Sequence, residues 1–458
     1  MLLALSTYHY IIIFSLTIII SYLFNVYSKK TGIPSVLLLI GLGVVINYCL
    51  RFMGIEKPNL FPILEVLGVV GLILIVLEAA LDLELVKNKM PLITKSFLVA
   101  LVGLIGTSYV CALSFCYLLD VSLINALLYT IPLSILSSAI ILPSIEDLSE
   151  EKKEFMIYES TISDILGIVA FYSVLTLSQA SEGSSVYGEM FGNLFLTIIF
   201  SVFLSYIIIY AFQNIRGHVK LFLIIAILLL IYAIGKLFHL SSLIMILVFG
   251  LILNNYRLFF KRLSSIVSFD SLKNILYDFK TITAESAFVV RTFFFIVFGW
   301  SAYLGSLLSL KVIGLGLLTL LIIYVIRCIV LFLFSGKNIF PQLFVAPRGL
   351  ITILLFFSIP QQLSLGPELQ GTLLFVILVS CLIMSWGLIS RKNSLSNNIE
   401  AVTNEEISKD PENNISKSGE KEEKIEAADE EKEVEECTEL VGTCIKCDNN
   451  FALLLLLL

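Results

Sequence analysis

From residue 8 to residue 389 the chain is built almost entirely of apolar runs. Most are about 17–25 residues long, enough to cross a ~30 Å hydrocarbon core at about 1.5 Å of rise per residue. The runs fall near residues 8–27, 34–50, 61–81, 96–118, 122–145, 156–178, 190–211, 219–236, 240–254, 283–304, 309–334, 344–360 and 369–389. Inside lipid a backbone must satisfy its own hydrogen bonds, so runs of this length predict helices. The chain is therefore expected to be an all-α polytopic membrane protein of about 13 transmembrane helices. With 58% hydrophobic and 14% charged residues and a mean hydropathy of +0.97, a water-soluble domain is excluded.

Charge bias orients the spans. If the N-terminus lies outside, the inside segments hold about 17 Lys and Arg residues, from Lys29 and Lys30 to Arg391 and Lys392, against Arg51, Lys57, Lys236 and Lys311 outside. Losing any one span would scramble that bias, so an odd count with the C-terminus inside is expected. No basic residue precedes the first run and Lys29-Lys30 follow it, the reverse of a secretory signal peptide. Residues 1–390 are thus expected to form a membrane domain. Residues 391–458 carry 17 acidic and 8 basic residues and are expected to form a cytoplasmic, acidic, disordered tail. Between the ninth and tenth runs, Tyr256 to Lys280 alternates basic and apolar residues and reads as an interfacial amphipathic helix linking two halves of the bundle or as an ordinary inside loop. Cys437, Cys444 and Cys447 in the tail are a weak metal signal, and no cofactor is expected.

Within this apolar background one polar cluster stands out: Tyr158-Glu159-Ser160-Thr161-Ile162-Ser163-Asp164, running into the apolar stretch Ile165 to Thr176. A carboxylate at bilayer depth costs about 2.5–3.5 kcal/mol on insertion scales, and such groups mark ion or proton pathways. Ser163 and Asp164 present neighbouring oxygens, the ligand type that alkali cations prefer, which makes both Na⁺-ligand candidates. The fifth run carries Pro132, Ser137, Ser138 and Pro143, and the twelfth carries Pro347-Arg348-Gly349. Proline frees a carbonyl, and irregular backbone at membrane depth is tolerated where it is buried in protein or lines a cavity. Matching interruptions in two halves point to a transporter's midplane site, so Ser137 and Ser138 join the candidate ligands. Arg291 and Arg327 also lie at depth and need partners. Glu65, Glu78, Glu159 and Asp164 are the acids available, and Glu159 with Arg327 is the preferred pair, leaving Asp164 free to exchange ligands. Glu78, near Asp82 and Glu84, reads as an interface residue.

At these residues the chain resembles the monovalent cation:proton antiporter superfamily, the sodium/proton exchangers. The resemblance is carried by Gly32-Ile33-Pro34-Ser35-Val36-Leu37, Leu77-Glu78-Ala79-Ala80-Leu81-Asp82, Glu159 with Ser163-Asp164, Phe293 to Gly299, Arg327 and Arg348-Gly349. It implies 13 helices in inverted repeats, with the fifth and twelfth crossed and partly unwound, and a homodimer. It implies further that Asp164 binds the ion and that Glu159 and Arg327 form a supporting pair. By helix-dipole physics Arg348 is expected to compensate a helix end at the crossing. Where the electroneutral branch carries Asn-Asp this chain has Ser163-Asp164, and where that branch carries Thr-Asp-Pro it has Ser137-Ser138-Ala139.

The expected activity is exchange of Na⁺ for H⁺ by alternating access in a cell (inner or plasma) membrane, both ions competing for Asp164. The alternatives are K⁺/H⁺ exchange on the same scaffold, or a channel-like or sensor protein controlled by the tail. Lipid, a monovalent cation and the proton are the expected partners, and nucleic acid is not. An enzyme is not expected: neither a Gly-x-Ser-x-Gly elbow nor His-Glu-x-x-His occurs, and Asp164 has no second intramembrane aspartate beside it.

Overall fold

The computed structural model describes residues 7–52, 61–145, 148–179, 186–213, 220–237, 242–260, 269–301, 307, 309–336 and 339–409. It is 88% helix, with no strand among the described residues. In chain order the helices are α1 (Thr7–Thr31), α2 (Ser35–Phe52), α3 (Phe61–Asp82), α4 (Met90–Leu119), α5 (Leu123–Ser134), α6 (Ser138–Ile141), α7 (Glu150–Gln179) and α8 (Val186–Gln213). Then follow α9 (Lys220–Leu237), α10 (Ser242–Asn254), α11 (Tyr256–Phe259), α12 (Phe269–Ser301), α13 (Leu310–Ser335), α14 (Leu350–Phe357) and α15 (Pro367–Lys409). Every predicted span overlaps at least one of these helices; the fifth overlaps α5 and α6, and the twelfth is helical only over α14. Among the described residues, eight are long and apolar enough to cross a membrane, and Phe195–Tyr210 and Ser242–Asn254 are shorter apolar helices.

Two helix clusters form the bundle. In one, α4 packs on α5, α7 and α13; in the other, α12 packs on α2 and α3, and α10 on α3 and α8. They meet where α3 touches α7 and α14. With no water to drive association between helices in lipid, close backbone approach does much of the work. At the α2–α12 crossing a methyl group on Gly43 would lie 2.1 Å from the Ile296 carbonyl oxygen, and one on Gly299 would lie 2.2 Å from that of Ile40. Only glycines permit that contact.

The fifth and twelfth predicted spans are both interrupted. Pro132 lacks an N–H, and α5 ends two residues later; residues 135–137 are extended before α6 resumes the helix. In the twelfth, residues 345–349 are non-helical and α14 begins only at Leu350. The breaks touch, for Ser137 N donates to Pro347 O at 3.1 Å.

The segment Tyr256 to Lys280 departs from the separate interfacial helix expected of it. Tyr256–Phe259 forms one short turn, residues 261–268 lie outside the described residues, and Phe269 onward is the first part of α12. The reason is a continuous buried stripe: Leu272, Phe279, Thr283 and Ala287 succeed one another at helical spacing, so nothing ends the helix before its spanning part.

The described residues up to Leu388 form one compact unit, and those from Ile389 to Lys409 belong to a second. In the second unit α15 stays helical to Lys409, past the boundary expected at residue 390. Residues 410–458, which include Cys437, Cys444 and Cys447, lie outside the described residues.

Candidate functional site

An extended break in a buried helix leaves backbone N–H groups that must find partners. Leu136 N donates to Ser163 Oγ at 3.0 Å, Ser137 N to Pro347 O at 3.1 Å and Ser138 N to Asp164 Oδ2 at 3.3 Å. Three successive donors are thus taken up by α7 and by the opposing break. The fifth-span break is held open by the residues that the sequence marks as functional.

Asp164 is 1% exposed. Its Oδ2 also accepts a hydrogen bond from Ser138 Oγ, while Oδ1 is buried without any partner. Among the described residues Asp164 makes no ion pair, and no arginine there neutralises its carboxylate. Beyond it lies a cavity of about 300 Å³. Ser138 and Thr161 line the cavity near Asp164, and Glu78, Asp82, Asn25 and Arg291 line it elsewhere. Ser163 turns to a different, smaller cavity of about 30 Å³, shared with Glu159, Arg327 and Arg348. Its oxygen props the Leu136 amide rather than meeting the free oxygen of Asp164.

Glu159 and Arg327 are brought together as a buried two-bond pair, Nη1 to Oε1 at 2.7 Å and Nη2 to Oε2 at 3.2 Å. Arg327 also donates to the carbonyls of Gln342 (3.0 and 2.9 Å) and Val345 (3.1 Å), at the start of the second break. The planar guanidinium fork suits this arrangement, because its remaining donors saturate carbonyls while two bind the carboxylate. Arg348, 2% exposed and in no ion pair among the described residues, donates from Nε to Leu133 O (2.6 Å) and from Nη1 to Ala346 O (2.9 Å). Leu133 stands at the C-terminal end of α5, where unsatisfied carbonyls concentrate negative partial charge, so a cation there is stabilised. Gly349 lets the two breaks approach: a methyl group there would come within 2.1 Å of Ser137 Oγ.

Two features escape a reading of the sequence alone. Arg291 pairs with Glu78 at 3.4 Å, each about one-fifth exposed on the wall of the large cavity. Thr161 lines the same cavity, and its place three residues before Asp164 on one helix face is the only sequence signal it carries. Among the described residues no group of three or more His, Cys, Asp or Glu side chains could hold a metal ion.

A family profile described as "Sodium/hydrogen exchanger, transmembrane" matches residues 14–389. The chain belongs to the sodium/hydrogen exchanger family. It is a multi-pass integral membrane protein and a transporter, and its class of activity is cation/proton antiport. Among curated proteins none matches it by sequence. Among solved structures it is similar to the sodium proton antiporter MjNhaP1 from Methanocaldococcus jannaschii. The structure at pH 8 superposes with a TM-score of 0.64 at 20% identity, covering 83% of this chain and 98% of that one. An electron-microscopy structure of the same antiporter gives 0.62 at 20% identity, covering 85% and 98%. At that identity the likeness establishes the exchanger fold.

Proposed function

We propose that this exchanger moves Na⁺ against H⁺ by alternating access, with both ions competing for Asp164. The observation that carries the proposal is a buried carboxylate with no cationic partner among the described residues and one bare oxygen, behind hydroxyls that line a cavity of about 300 Å³. An anion in that position is expensive, and either a proton or a bound cation cancels it. The cluster of α4, α5, α7 and α13 can then cross the dielectric barrier when Asp164 is neutralised, and stays put when it is bare. Exchange becomes obligatory although the two ions never meet.

Ser138 orients the carboxylate, and with the carbonyls of the break it completes an oxygen shell around a dehydrated alkali cation. Ser137 and Ser163 hold the backbone that presents Ser138. Arg348 offsets the end of α5, and Glu159 with Arg327 braces the opposing break. Charge bias puts the N-terminus outside; Asn25, Ser35, Asp82 and Pro143, which line the cavity, lie near the span ends that then face inward, so the cavity opens toward the cytoplasm, where residues 391–458 form the tail.

Competition has a kinetic signature in proteoliposomes. As pH falls, the proton occupies Asp164 and the cation must displace it, so the KM for Na⁺ is expected to rise while the maximal rate holds. The rise approaches about tenfold per pH unit once most sites are protonated. A KM indifferent to pH, with the maximal rate falling instead, removes the shared-site mechanism. Running K⁺ in parallel assigns the cargo: exchange with K⁺ and none with Na⁺ keeps the geometry and changes the ion.

A homodimer is proposed as well. Apolar side chains stand exposed on α1 (Ile11, Ile12, Phe14) and α8 (Phe195, Ile199, Phe203), to be covered by lipid or by a second copy. Native mass spectrometry from mild detergent is expected to give two chains, and a monomer at every concentration refutes the assembly.

A further inference from the structure

Ser138 and Thr161 line the large cavity, whereas Asp164 does not. The Ser138 hydroxyl is committed to Asp164 Oδ2. The Thr161 hydroxyl makes no hydrogen bond among the described residues. A threonine inside a helix can return its hydroxyl to the carbonyl four residues back, and those that do not, such as Thr283 as well as Thr161, keep a hydroxyl free for another partner. Thr292, Thr319 and Thr372 make that back-bond here, at 2.9, 2.7 and 3.0 Å.

Helix geometry places Thr161 next to the exchanging acid. Residues three apart share a face, separated by roughly 4.5 Å along the axis. Side chains in a helix lean toward its N-terminus, so the carboxylate of Asp164 tilts back over the turn that carries Thr161. Two unfilled oxygens therefore stand on neighbouring positions of α7: Asp164 Oδ1, buried without a partner, and Thr161 Oγ1, at the cavity wall. An alkali cation entering from the cavity sheds water and needs neutral oxygens to replace it, and a hydroxyl supplies one without adding charge.

We infer that Thr161 is a cation ligand beside Asp164, setting how tightly and how selectively the site takes an alkali ion. The inference rests on Asp164 being the exchanging carboxylate. A neutral ligand shared by every bound cation acts mainly on binding, so its loss raises KM and leaves the maximal rate nearly as it was. A compact hydroxyl favours the smaller ions, so its loss also narrows the preference for Li⁺ and Na⁺ over K⁺.

The test compares Thr161→Val and Thr161→Ser with the unchanged protein in proteoliposomes, reading KM for Li⁺, Na⁺ and K⁺ separately. Valine keeps the volume and the β-branch and removes the hydroxyl. It is expected to raise the Na⁺ KM about tenfold, the scale of one lost hydrogen-bond-strength contact to a charge, and to raise the K⁺ KM less. Serine restores the hydroxyl and is expected to recover most of the lost affinity. A valine variant with KM values within twofold of the original overturns the inference, and so do equal losses in valine and serine, which would mark a packing effect. If the valine variant does not fold, Thr161→Ala against Thr161→Ser is read in the same way. Asp164→Asn run alongside separates the two claims: if it retains exchange, the reading of Asp164 falls and takes this one with it. If it is inactive and Thr161→Val is unaltered, only the role of Thr161 falls.

Discussion

Asp164→Asn is expected to reduce cation-dependent proton movement in proteoliposomes to the rate of protein-free vesicles, while the protein purifies and melts much as before. Asparagine has the same shape, and its carbonyl oxygen can keep the hydrogen bonds from the Ser138 hydroxyl and amide, so the fifth-span break stays satisfied. Asparagine cannot bind and release a proton at this pH, and it offers the cation no charge. The cluster that carries it is permanently neutral and can cross the membrane empty, which is useless for coupling. Removing a buried group that would otherwise carry a charge should leave thermal stability equal or slightly higher, because burying an ion without a partner is unfavourable. A melting temperature at or above that of the original, with no exchange, separates a functional loss from a folding loss. Exchange that persists in the folded variant sinks the assignment, and so does loss of the fold, since the latter makes Asp164 a structural residue.

Much of the architecture is legible in the sequence because its cause is local. Length and hydropathy alone place the spans, since a backbone in hydrocarbon has few ways to satisfy itself. Pro132 and Pro347-Arg348-Gly349 mark the two breaks, since proline removes a donor wherever it stands. The Glu159–Arg327 pair is reachable by scarcity: few acids lie at depth, so a buried arginine has few candidate partners. What the sequence does not reveal depends on contacts between distant segments. Glu78 and Arg291 are 213 residues apart, and only the packing of α3 on α12 makes them a pair. The work of Ser163 is likewise invisible: adjacent in sequence to Asp164, it looks like a fellow ligand, yet its oxygen goes to an amide exposed by the break in another helix. Thr161 appears an ordinary helix residue until the missing back-bond and the cavity are seen together. The extent of α12 was obscured for a different reason, because basic and apolar residues in alternation suit an interfacial helix and an entering span equally well.

Arg327→Ala is expected to be the most damaging single change to stability, and adding Glu159→Ala to it is expected to restore part of the loss. Removing one partner of a buried ion pair costs about 3–5 kcal/mol, because the other charge is left uncompensated in a low-dielectric interior. The two singles should not be equal. Without Glu159, Arg327 still holds the carbonyls of Gln342 and Val345, so its charge remains partly solvated by the protein. Without Arg327, Glu159 loses its only ion-pair partner among the described residues, and the second break loses the donors that fasten its carbonyls. The double variant discards the stranded carboxylate and keeps only the unfastened carbonyls. It should therefore melt above Arg327→Ala, and its total loss should fall short of the two single losses combined by about 1–3 kcal/mol. Transport should not return with stability, since the break that positions Ser137 and Ser138 is braced through Val345 and Pro347. Thermal melts of the four proteins in one detergent complete the cycle, and strictly additive losses would mean that the two side chains, however close, act independently.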